Sequence, residues 1–86
     1  MLRTRNLTLT STPTLLTLSD DLETPNTVSI QNTSDSATLY LGGSSVSSSL
    51  YGVRLLAGQI WSADLGAYDE LYAVGTGTVA VLILER

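Results

Sequence analysis

The chain contains no cysteine, no histidine and no lysine. Each absence removes a class of chemistry. Without cysteine there is no disulfide to supplement a core and no thiolate to bind metal or attack a substrate. Without histidine and cysteine, the Ser-His-Asp and Cys-His nucleophile arrangements cannot be built. Without lysine, Ser-Lys dyads and Schiff bases go too. Charge is also scarce, at 14% of residues against about 25% in an ordinary soluble domain. No apolar run approaches the roughly 20 residues of a membrane span. The opening "MLRTRNLTLTST" has two arginines but no long apolar stretch behind them, so it does not read as a signal peptide. No Walker loop or dinucleotide fingerprint occurs; Gly75-Thr76-Gly77 lies between two strand patterns and reads as a hairpin. These exclusions point to a soluble, non-enzymatic protein that binds no cofactor, no metal and no membrane, and that is made in a cytoplasm without export.

Serine and threonine fill the space left by charge, at 23 of 86 residues. Two explanations are compatible. Threonine and serine suit the exposed positions of a pleated sheet. Interface cores are likewise depleted in charge and tolerate arginine better than lysine, and the four basic residues here are Arg3, Arg5, Arg54 and Arg86. Net charge is −4. Four scattered arginines among eight acidic residues do not make the clustered basic surface that nucleic acid requires.

The dominant period is two. Leu7 and Leu9 alternate with Asn6, Thr8 and Thr10; Val28 and Ile30 with Thr27, Ser29 and Gln31; Leu39 and Leu41 flank Tyr40. Such alternation marks half-buried strands. Turn residues cut the chain at short intervals, at Ser11–Pro13, Thr24–Asn26, Asn32–Ser36, Gly42-Gly43, Gly58, Gly66 and Gly75–Gly77. Strands are expected at about 6–10, 14–18, 27–31, 37–41, 53–56, 59–63, 70–74 and 78–84. The expected fold is all-β: a compact, jelly-roll-like antiparallel β-sandwich of about eight short strands. Residues 1–12 form an N-terminal arm or edge strand, and residues 13–86 a single sandwich domain. A single helical turn is expected near Ser19 to Glu23. "TVAVLILE" is apolar on both faces, with Val79, Val81 and Ile83 on one and Ala80, Leu82 and Leu84 on the other. Such a strand is either covered on both faces or packed on a partner chain. The Ser44 to Ser49 run reads as an exposed loop or a close-fitting contact surface.

Carboxylates are the only groups left for acid–base work. Asp64, Asp69 and Glu70 lie near one another in sequence, and two carboxylates are what glycoside hydrolysis uses; solvated loop charges beside Gly66 are the plainer reading. "SDDLETP" (Ser19 to Pro25) supplies part of a calcium shell but lacks EF-hand spacing, and a capped turn fits it better. Trp61 follows Ile60. If Ile60 faces inward, Trp61 faces outward, toward solvent or a partner; otherwise Trp61 is core and Ile60 peripheral. Tyr40 and Tyr72 sit between core-type positions and are expected on an outer sheet face.

Three stretches, "VSIQNTSDSATLYLGGSSV", "GVRLLAGQIWSADLG" and "DELYAVGTGTVAVLILE", resemble small β proteins and modules encoded among the structural genes of tailed bacteriophages. The resemblance covers residues 28–85 and its motifs are structural. It implies a virion component, with capsid decoration (cement) as the first expectation: a protein on the outer capsid surface that binds between capsomers, contacts the major capsid protein and forms a homo-oligomer, trimer favoured. A tail or fibre module binding a host-surface carbohydrate or receptor is the alternative. The expected interface combines the arm (Leu2, Arg3, Arg5, Leu7), the Gly42 to Tyr51 loop with Ser47 and Tyr51, Arg54, and the outward aromatics Tyr40, Trp61 and Tyr72.

Overall fold

The period-two stretches fold into strands. The computed structural model describes residues 2–17 and 25–85. Within them lie β1 (Leu2–Thr8), β2 (Thr14–Leu15), β3 (Asn26–Asn32), β4 (Leu39–Gly42), β5 (Val53–Leu55), β6 (Ile60–Leu65), β7 (Tyr72–Val74) and β8 (Thr78–Glu85). No helix occurs among the described residues. The helical turn expected near Ser19 to Glu23, and all of "SDDLETP" but Pro25, lie outside them.

Two four-stranded sheets form, in the orders β1-β8-β3-β6 and β2-β7-β4-β5. Every paired strand is antiparallel. The pairs β4–β5, β3–β6, β2–β7 and β1–β8 are nested, as if one long hairpin had been rolled into a sandwich. That is the double Greek key of a jelly roll, and the expected fold class holds.

Alternation places one set of side chains between the sheets. Val28, Ile30, Val79, Val81 and Ile83 come from the first sheet, and Leu39, Leu41, Leu55 and Ala73 from the second; all are buried. Each buried Val, Leu or Ile contributes about 1.5–3 kcal/mol. β8 is central in its sheet, and its second apolar set points away from the core, leaving Leu82 41% and Leu84 46% exposed.

The N-terminal segment is the edge strand of the first sheet, in register with β8 from Leu2↔Leu84 to Thr8↔Thr78. This turns Arg3, Arg5 and Leu7 to the inner side and Leu2 outward. The Arg5 guanidinium reaches across the open seam between the sheets, and its Nη1 donates to the carbonyl of Leu16 at 2.8 Å and to that of Leu15 at 3.4 Å. An inward charge also guards an edge strand against pairing with another chain. Arg5→Met keeps the aliphatic stem and removes the donors. It is expected to cost about 1–2 kcal/mol, read as a lower urea midpoint; an unchanged midpoint would show that the seam is held without it.

Asn32, wholly buried, ends β3. Its Nδ2 donates to the carbonyls of Ala37 (2.8 Å) and Leu55 (2.9 Å). Its Oδ1 accepts from the Ser34 N–H at 3.0 Å and from the Ser34 hydroxyl. Both donors and both lone pairs of the amide are used. One side chain thus joins β3, the β3–β4 turn and β5, tying one sheet to the other.

The β7–β8 connection lies against that turn; it crosses from the second sheet to the first, so Gly75-Thr76-Gly77 is a turn between sheets and not the hairpin expected of it. A Cβ at Gly75 would stand 2.5 Å from Leu39 Cδ2, and one at Gly77 would stand 2.6 Å from Ser34 Cβ and 2.9 Å from Ala37 Cβ. These two glycines are required by close approach rather than by positive φ.

Candidate interaction surfaces

The outer face of the first sheet explains much of the serine and threonine. Register sets hydroxyls opposite one another across strands. Ser29 Oγ lies 2.9 Å from Ser62 Oγ, and Thr33 Oγ1 lies 2.8 Å from Thr78 Oγ1. Thr27 Oγ1 donates to Asp64 Oδ1 at 2.7 Å. Such cross-strand pairs stabilise a pleated surface without net charge. Among them stand exposed apolar side chains, Leu2 (61%), Ile60 (63%), Leu82 and Leu84. A shallow groove of about 280 Å³ runs between Ile60 and Leu82 over Ser29.

The second sheet's outer face is treated differently. The Gly43–Tyr51 loop folds back across it. Val46 is buried directly above Gly42, where a Cβ would come within 3.1 Å of Val46 Cγ2. The Tyr51 ring tilts against Tyr40, centroids 4.9 Å apart. The serine run is therefore only in part the exposed loop expected of it. Ser44, Ser45, Ser48 and Ser49 are exposed, whereas Ser47 is half-buried. The Ser47 hydroxyl accepts from the N–H groups of Ser49 (3.2 Å) and Leu50 (3.1 Å) and so holds the loop's own turn.

The ten expected interface residues do not form one patch. Leu2 is on the outer face of the first sheet. Arg3, Arg5 and Leu7 are turned inward and half-buried, because their register partners Ile83, Val81 and Val79 are core residues. Tyr40, Arg54 and Tyr72 share the outer face of the second sheet by register, with Ser47 and Tyr51 in the loop above it. Trp61, expected at the interface if outward and in the core if not, points inward: it pairs with Ile30 and packs half-buried against the core. Ile60 points outward in its place.

The carboxylates do not converge. Asp64 is on the sheet face with Thr27. Asp69 closes its own turn, its Oδ2 accepting from the Gly66 N–H at 2.7 Å. No group of three or more potential metal ligands occurs among the described residues.

No protein-family model matches this chain, and no curated protein does. Among solved structures it is similar to a chain from Bacillus endospore appendages, described as a novel family of disulfide-linked pili. The TM-score is 0.57 and the identity 11%, over 96% of this chain and 82% of that one. What the two share is the fold. The disulfide linkage has no counterpart here, since these 86 residues include no cysteine.

Two features of these surfaces escaped sequence reading. The hydroxyl ladder depends on cross-strand register, which no local pattern encodes. The Asn32 clasp had a local signal, an asparagine two residues before a serine at a strand end, which is the spacing of an Asx turn.

Proposed function

We propose that this chain is a non-enzymatic structural protein that works by lying against other protein, and that it decorates the outer surface of a bacteriophage capsid, binding between capsomers and against the major capsid protein. The observation that carries this reading is the bare outer face of the first sheet, where leucines and paired hydroxyls stand with almost no charge. Surfaces of that composition suit close protein contact. The resemblance of residues 28–85 to phage structural modules supplies the setting. An acidic chain with net charge −4 suits a position outside a DNA-filled shell, and many copies binding together turn weak contacts into firm retention. A second reading, a subunit of a non-covalent filament, is favoured by the likeness to the endospore-appendage chain over 96% of this one.

Quantitative mass spectrometry of virions purified from the source of this sequence tests the proposal. Decoration is expected to give a copy number equal to that of the major capsid protein or a simple fraction of it. A handful of copies per particle would move the protein to the tail or a fibre. Absence from virions would overturn the capsid reading and leave the filament.

A further inference from the structure

The two outer faces of the sandwich differ in a way that selects a partner. One is covered by the chain's own serine loop, through Val46 and Tyr51. The other has no covering segment among the described residues. We propose that the outer face of the first sheet is a self-association surface, packing face to face on the same sheet of a second copy about a two-fold axis. The proposal rests on the structural-protein reading and names the protein that this face lies against as a second copy, which leaves the dimer's other surfaces to meet the capsid.

Shape is the first argument. Leu82 on β8 and Ile60 on β6 are two knobs on either side of β3, offset by two residues: Leu82 is level with Ser29 and Ile60 with Gln31, and both β3 residues line the groove between them. The knobs stand roughly 12 Å apart on the diagonal, two strand spacings across and two residues along. An axis running along the strands, between β8 and β3, sets Leu82 of each copy over Ser29 of the other. The contact is reciprocal, as an isologous interface demands, and it closes at two copies. The trimer favoured from the sequence would need a different surface.

Charge is the second argument. Asp64 is the one ionisable side chain among the described residues of this face, and it sits at a corner with Thr27 donating to it. A basic partner would find almost nothing here to pair with. Two copies that each carry a net charge of −4 repel through most of their surface. They repel least where the surface is neutral.

Area is the third. Four strands of about seven residues make a footprint of roughly 20 by 23 Å. Two such faces brought together bury on the order of 1,000 Å² in total, the lower bound for a specific interface. The dimer is therefore expected to be weak, with association in the micromolar range.

Sedimentation equilibrium of the full chain, from roughly 10 µM to 1 mM, spans that range. The unaltered protein is expected to shift from monomer to dimer. Leu82→Asp places a carboxylate in the interface twice, once per copy, and is expected to weaken dimerisation by at least about 30-fold. Leu82→Thr, an uncharged strand former, should weaken it less, and Ser45→Asp on the opposite face should leave it unchanged. Thermal unfolding of each variant checks that the sandwich survives. A monomer at every concentration overturns the proposal. So does a dimer that withstands Leu82→Asp, or one dissolved only by changes around Leu50 and Tyr51. A monomer that still decorates virions would end this proposal and spare the capsid reading; a dimer absent from virions would spare this proposal and end the capsid reading.

Discussion

Asn32→Leu is expected to lower the unfolding free energy by about 3 kcal/mol or more. Leucine matches the volume of asparagine loosely and matches none of its hydrogen bonds. The Leu55 carbonyl loses this donor, the Ala37 carbonyl keeps only the Ser34 hydroxyl at 3.3 Å, and the Ser34 N–H loses its acceptor. A polar group left without a partner costs about 1–3 kcal/mol, and here one change strips the Asn32 amide from two groups and weakens the bonding of a third. Asn32→Asp tests the same clasp by a different route. It keeps the acceptor for Ser34 but turns a buried carboxylate toward two carbonyl oxygens, so it should be at least as damaging. Urea titration followed by the fluorescence of Trp61, the sole tryptophan, reads both. A loss under about 1 kcal/mol in each variant would show that the turn holds without the amide.

Gly77→Ala is expected to cost about 2–3 kcal/mol, the upper part of the range for overpacking a tight site. The new methyl would meet Ser34 and Ala37 at 2.6 and 2.9 Å, and neither neighbour can swing away. Their own Cβ atoms are what stand in the way, and Ser34 is held by its bonds to Asn32. The clash predicts a specific coupling. Ser34→Gly removes the nearer obstruction, so the double variant Ser34→Gly/Gly77→Ala should be more stable than the sum of the two single losses by about 1 kcal/mol. Simple additivity would place the cost of the alanine elsewhere, in the backbone of the β7–β8 connection.

How much of this was legible in the sequence depended on what each stretch had to say about its neighbours. The strands were legible because period-two alternation is local. Val28, Ile30, Leu39 and Leu41 announce a buried face by themselves, and Tyr40 falls on the opposite face as a consequence. Boundaries moved where the chain leaves the ladder while still entering the core. β2 shrinks to Thr14–Leu15, although Leu16 just beyond it is fully buried. Sidedness was ambiguous wherever two apolar residues are adjacent. Ile60 and Trp61 both suit a core, and only the pairing of Trp61 with Ile30 decides between them. The side that Arg3 and Arg5 take is set by the register of β1 with β8, which no local pattern carries: both turn to the inner side of an edge strand, where Arg5 has carbonyls in reach. The serine run concealed one apolar residue, Val46, whose burial depends on Gly42 lying beneath it.

The nested strand order carries a consequence for how the chain reaches this fold. Pairing Leu2 with Leu84 directly closes a loop of roughly 80 residues, whereas pairing Leu41 with Val53 closes one of roughly a dozen, a difference of about 2 kcal/mol in closure entropy. Taken from the inside outward, the nested order avoids most of that penalty. Once β4 and β5 have met, β3 and β6 are held a few residues apart, and each further pair inherits ends already brought near. A topology whose outermost contacts span nearly the whole chain is thus reachable by a succession of short closures, with β1 and β8 last to join.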